Sequence, residues 1–176
     1  MRLLSLAVAF ACAAGLARAE IEITEVTSPG GIDAWLVQED AIPFIALELR
    51  FAGGATLDAP GKRGATNLMT ALLEEGAADR DAQAYSAAVE GIAASFNFDV
   101  RDDSLSVSAR FLTETTDDAA ALLRDALTAP RFDPDAIERV RAQVLSSIRS
   151  DARDPDALAS RTFDEVAFGD HPYASP

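Results

Sequence analysis

Side chains able to do chemistry are few in this chain and poorly spaced for it. The one histidine, His171, sits in the turn-like run Gly169-Asp170-His171-Pro172-Tyr173. A zinc site needs three or four converging ligands, and no spacing of His171 with an acid supplies them. A polar turn residue is the plainer reading. No serine stands in a Gly-x-Ser-x-Gly elbow, and none has a histidine at motif spacing. Asp102-Asp103 form a carboxylate pair, but beside Ser104 they fall at a predicted hairpin tip, where solvated acids are ordinary. Asn97 reads as a strand residue. Glu74 and Glu75 have no histidine to join them.

Hydrophobic patterning defines the elements that hold these residues. Residues 21–27 alternate as a strand, and Ser28-Pro29-Gly30-Gly31 is turn chemistry. A second strand over 32–39 is expected to be buried with the help of Trp35. A third, over 44–51, places Ile45, Leu47, Leu49 and Phe51 on one face. These three read as an antiparallel meander. Glycines 53, 54 and 61 then lead into a helix within 61–77, where Leu68, Leu72 and Leu73 recur at helical spacing and Gly76 is the expected C-cap. A second helix spans about 81–90, and 95–100 with 105–111 form a hairpin. Three helices follow, over about 116–129, 134–150 and 155–168. Asp133-Pro134 and Asp154-Pro155 each pair an N-cap with proline at the first helical position. The result is an α+β fold, with helices covering one face of a mostly antiparallel sheet.

With 176 residues, 49% of them hydrophobic, the chain can build one packed domain. Arg2, the apolar run 3–16 and Ala17-Arg18-Ala19 match a secretory signal, and the apolar run is shorter than the roughly 20 residues of a membrane span. Residues 1–19 are expected to be removed after Ala19. Residues 20–176 then form the domain, in the periplasm or outside the cell. Cys12 is the only cysteine; its acylation as a lipoprotein is disfavoured by the bulky Phe10 in Ala9-Phe10-Ala11. The mature chain is thus expected to hold together without disulfides. The net charge is -14, and loss of Arg2 and Arg18 takes 15 basic residues to 13 against 29 acidic ones. Such a surface repels nucleic acid and anionic lipid, so neither nucleic-acid binding nor membrane insertion of the mature chain is expected.

The run AIPFIALELRFAGGATLDAPGKRGATNLMTALLEEGA resembles the N-terminal domain of the pitrilysin/insulinase-type zinc peptidases, the inverzincins, in which a strand and a glycine-rich turn precede a His-x-x-Glu-His helix. The run AQAYSAAVEGIAASFNFDVRDDSLSVSARFLTE is similar to their following helix and hairpin. APRFDPDAIERVRAQVLSSIRSD is similar to the helix carrying the distal glutamate ligand, and AFGDHPYASP to a Phe-x-x-His-Pro-Tyr/Leu segment. The resemblance implies a pitrilysin/LuxS-like metallohydrolase half-domain, expected to be cut short at its C-terminus and prone to oligomerise. It places Asn67 at the first histidine, Thr70 at the glutamate base, Ala71 at the second histidine and Ser147 at the distal glutamate. Val140 falls where a supporting acid is common.

Asn and Thr are poor zinc ligands, Ala cannot bind, and Thr has no ionisation that would let it activate water near neutral pH. The resemblance therefore implies a member without its own catalytic or metal-ligating residues, needing no cofactor, with zinc carried only by a catalytic partner. Such a chain would join an HxxEH-bearing pitrilysin-like subunit, contribute peptide contacts and close its chamber. The Ala-rich helix at 67–73 is expected to be part of an apolar inner surface that such a partner covers. The alternative is an interaction scaffold that keeps the fold and has left proteolysis. A weak enzyme with unrecognised ligands is a third reading.

Overall fold

The computed structural model describes residues 22–174, so the signal segment, Cys12 and Ser175-Pro176 lie outside the described residues. The chain divides into two units between Ile42 and Pro43. In the first, β1 (Thr24–Thr27) and β2 (Asp33–Leu36) pair antiparallel, with Val26 opposite Ala34. The turn uses Gly31 at φ +81 and the Ser28 hydroxyl oxygen, which accepts from the Ile32 N–H at 3.0 Å. Trp35 is 79% exposed, which corrects its expected burial. A two-stranded ribbon has no second layer of its own to cover an aromatic.

In the second unit the sheet is formed by β3 (Phe44–Ala52), β6 (Ser95–Val100) and β7 (Ser104–Leu112), in the order β3-β7-β6 and antiparallel throughout. The expected meander of the first three strands is thus corrected. β3 pairs along its whole length with β7, from Phe44 opposite Leu112 to Ala52 opposite Ser104. The alternation of β3 holds, because Ile45, Leu47, Leu49 and Phe51 lie opposite Phe111, Ala109, Val107 and Leu105. An apolar strand that long is best satisfied by another of equal length carrying the same period.

Among the described residues five α-helices complete this unit: α1 (Ala65–Leu72), α2 (Ala82–Gly91), α3 (Thr116–Thr128), α4 (Pro134–Asp151) and α5 (Pro155–Phe168). α3 sets Ala119 and Leu123 against Val107, Ala109 and Phe111, with Ile45, Leu49, Phe96 and Phe98 around them. Tyr85 of α2 joins Leu122 and Ala126 in a second cluster. In a third, Leu72 of α1 packs with Ala136 and Val140 of α4. Asp81 caps α2 by accepting from Ala84 N–H at 2.9 Å, and Asp154 caps α5 by accepting from Asp156 and Ala157.

Two expected helix ends differ. Asp133 stands at the N-cap of α4 but makes no capping bond, because Arg131 takes both its carboxylate oxygens at 2.7 and 3.2 Å. Gly76 is not the C-cap of α1, which ends at Leu72 with Leu73 as its cap. Gly76 instead enters a two-residue ladder, β4 (Gly76–Ala77) against β5 (Arg80–Asp81), at φ +113.

The polar turn before α1 is sewn to the tip of the β6–β7 hairpin. Gly53, Ala55 and Thr56 donate their N–H groups to the carbonyls of Asp103, Arg101 and Asp102 at 2.8–2.9 Å. This approach requires Gly54, where a Cβ would stand 1.9 Å from the Arg101 carbonyl oxygen. Gly54→Ala should therefore cost about 1–3 kcal/mol of stability, as forced overpacking does. A melting temperature equal to that of the parent chain would contradict the close docking.

Candidate functional site

α1 begins where it does because Asp58 holds its first turn. One carboxylate oxygen accepts from the Thr66 hydroxyl at 2.6 Å and from the Thr66 N–H at 3.0 Å; the other accepts from the Gly64 N–H at 2.8 Å. Gly64, at φ +85, offers no side chain for capping, so a residue six positions earlier does the work. Burial would raise the Asp58 carboxyl. The hydrogen bonds from Thr66, Gly64 and Ala65 outweigh it and hold the group below the ordinary carboxylate range.

Asn67, Thr70 and Ala71 fall at i, i+3 and i+4 on this helix, the spacing that puts residues on neighbouring turns of one side. Asn67 and Ala71 are exposed. Thr70 is buried at 3% exposure, and its hydroxyl donates to the Thr66 carbonyl one turn back at 2.8 Å. That bond ties the hydroxyl to the helix itself. Ser147 lies exposed on α4, two turns beyond Val140, which is 3% exposed and packed against Leu72. Val140 thus makes an apolar contact between the two helices.

Beyond α1, Arg139 of α4 pairs with Glu75. The neighbouring Glu74 is raised by desolvation and then by the Glu75 charge. Tyr85, buried and donating to the Leu122 carbonyl at 3.2 Å, is pushed up to about 12 by burial first, then by the charges of Glu74 and Asp125. Among the described residues no three His, Cys, Asp or Glu side chains gather as metal ligands would.

His171 is exposed in the closing turn, 4.5 Å edge-on from the Tyr173 ring and 6.4 Å from Phe168. Asp102-Asp103 are not simply a solvated pair, as the sequence suggests. Asp103 accepts from the Thr56 hydroxyl at 3.2 Å and from the Tyr173 hydroxyl, and Arg63 reaches from the Ala55 carbonyl to that of Pro172. The Asp103 hydrogen bond is the leading cause that holds the Tyr173 phenol above its ordinary value. Sequence reasoning missed Asp58, Arg63 and Tyr173 as the supports of α1. Asp58 carried a signal, standing just before a glycine turn that opens a helix without its own Ser, Thr, Asp or Asn cap.

α1 is thus a helix clamped at its entrance and packed on α4, with uncharged side chains at Asn67, Thr70 and Ala71. The chain belongs to the insulinase family, peptidase family M16, whose model matches residues 35–176. With His171 as the sole histidine, it is a member without the His-x-x-Glu-His motif. It is 30% identical over 134 residues to a Helicobacter pylori protein named Non-peptidase homolog YmxG, covering 76% of this chain and 31% of that one. It is similar in structure to a peptidase M16 inactive domain from Pseudomonas fluorescens, with a TM-score of 0.83 and 27% identity, over 89% of this chain and 38% of the other. A protease from Helicobacter pylori shares the fold at a TM-score of 0.76 and 17% identity, over 88% and 38%. The chain thus spans about a third of the length of these relatives.

Because the Asp58 carboxyl is lowered in the folded state, its stabilisation is complete above the unfolded value of about 4. It is lost as pH falls through the lower folded value. Asp58→Ala should cost about 1 kcal/mol near neutrality, as loss of a helix cap does. The difference from the parent should close in strong acid. A gap of equal size at neutral and acid pH, by thermal melts, would contradict the cap.

Proposed function

We propose that this chain acts outside the cytoplasm as the non-catalytic companion of an HxxEH-bearing insulinase-family peptidase, contributing peptide contacts and a wall of the chamber. The observation that carries the reading is the treatment of α1. Its cap, its glycine turn and its packing on α4 are all kept, while Asn67 and Ala71 leave an uncharged exposed face and Thr70 is turned inward.

β6 lies alongside α1 and has no strand on its outer edge among the described residues. An extended peptide can join such an edge through main-chain hydrogen bonds, without any catalytic group. Zinc would belong to the partner, where a histidine pair and a base are present. A place outside the cytoplasm rests on the signal-like residues 1–19. Among the described residues no helix is long and apolar enough to cross a membrane.

The test is co-expression with each HxxEH-bearing insulinase-family chain of the source genome, followed by affinity purification and peptide hydrolysis assays. The two chains should purify together, and hydrolysis by the catalytic subunit should fall at least tenfold when this chain is left out. Hydrolysis indifferent to its omission, with no co-purification, would sink the reading and favour a scaffold role. N-terminal sequencing of the exported chain should begin at Glu20.

A further inference from the structure

The turn that follows α5 closes on a hydrogen bond that only an uncharged imidazole can make. His171 Nδ1 accepts from the Tyr173 N–H at 3.2 Å. A ring nitrogen that accepts carries no proton, so the proton of neutral His171 sits on Nε2, and an imidazolium has no acceptor left to offer. The geometry is that of an Asx turn, with Nδ1 standing where the Oδ1 of an asparagine would. Pro172 lies between the two residues and has no N–H to compete, and its fixed φ suits the short 3-10 turn Pro172–Ala174. The main chain frames the same turn. The His171 N–H donates to the Phe168 carbonyl at 3.0 Å, and the Ala174 N–H donates to the His171 carbonyl at 2.9 Å. The Tyr173 ring stands edge-on to both His171, at 4.5 Å, and Phe168, at 5.5 Å.

What this turn presents is bound elsewhere in the fold. The Pro172 carbonyl accepts from Arg63 at 3.3 Å, and the Tyr173 hydroxyl donates to Asp103, which also accepts from Thr56. Arg63 stands directly before Gly64, whose N–H is held by Asp58 at the start of α1. We propose that His171 is a pH-sensitive latch: a proton taken up at Nδ1 breaks its bond to Tyr173 and frees the Pro172–Ala174 turn from the corner that anchors α1. Imidazole is the ordinary side chain that takes up a proton between about pH 8 and 5. Because only the neutral ring can make the bond, the latch is closed at the upper end of that range and opens as the pH falls. The charged groups around the turn are Asp170 beside it, Asp164 and Glu165 on α5, Asp102 and Asp103 at the hairpin tip, and Arg63. The latch is made of bonds within the chain and does not depend on the reading of α1 as part of a peptidase companion.

His171 is the one histidine in the sequence and Tyr173 one of two tyrosines, so nuclear magnetic resonance of the full chain reads both without ambiguity. At about pH 8, above the imidazole range, long-range proton–nitrogen spectra should show the Nε2–H tautomer. On titration to about pH 5 the Tyr173 amide should shift with the same midpoint as the imidazole. Its solvent exchange, corrected for that of an unprotected amide, should rise about fivefold, as the loss of one hydrogen bond of ordinary net strength gives. His171→Asn keeps an acceptor in the same place with no proton to gain, and it leaves every neighbouring charge as it is. Its Tyr173 amide should stay protected across the whole range. In His171→Phe that amide should be unprotected at both ends. Circular dichroism confirms the fold of each variant, and the parent spectra decide the matter even where a variant fails to fold. An Nδ1–H tautomer, a Tyr173 amide that ignores the imidazole titration, or an H171N chain with the same pH response as the parent would overturn the proposal.

Discussion

The docking of the glycine turn at residues 53–56 onto the tip of the β6–β7 hairpin is the constraint on which the rest of the second unit depends. Three backbone N–H groups reach three successive carbonyls there, and Gly54 has no room for a side chain. Once this turn is fixed, Asp58 is in place to clamp the first turn of α1. Arg63 and Tyr173 then tie the far end of the chain to the same corner. The position of α1 is therefore set by long-range polar contacts at its entrance and by Leu72 against α4 along its length.

The resemblance sets a metal site on α1 and α4, and the side chains present at those positions pack or bond locally instead. Here Thr70 closes its hydroxyl on its own helix and Val140 fills the contact with Leu72. The remaining acids past the helix do not compensate, because Glu75 is paired with Arg139 and Glu74 stands without a histidine nearby in sequence. The similarity in structure to the Pseudomonas fluorescens inactive domain extends over 89% of this chain.

Much of this was legible in the residues. Helix starts at Asp81 and Asp154, the 95–112 hairpin and the apolar face of β3 all follow local rules that tertiary context left intact. What was not legible is partner choice. Alternation says which face of β3 is apolar but not that β7 pairs along its length. The same gap explains Asp133, whose cap is lost to an arginine two residues away, and Gly76, whose positive φ serves a strand ladder rather than a helix end. Trp35 shows the converse, a strong apolar residue in a ribbon that has nothing of its own to cover it. At the site, the positions of Asn67, Thr70, Ala71 and Ser147 came from resemblance alone. The inward turn of Thr70 is set by how α1 packs, which its neighbours in sequence do not encode.

The central claim, a retained metal-helix frame with its ligands lost, is tested most directly by titrating zinc into three versions of the chain. Calorimetry would compare the parent chain, Asn67→His/Ala71→His, and the same pair with Ser147→Glu. The account predicts no saturable site in the parent, a weak site from the histidine pair, and one tighter by about tenfold or more once the distal acid is restored, as a third converging ligand gives. One equivalent of zinc held by the parent chain, or a triple variant binding no better than the pair, would contradict it.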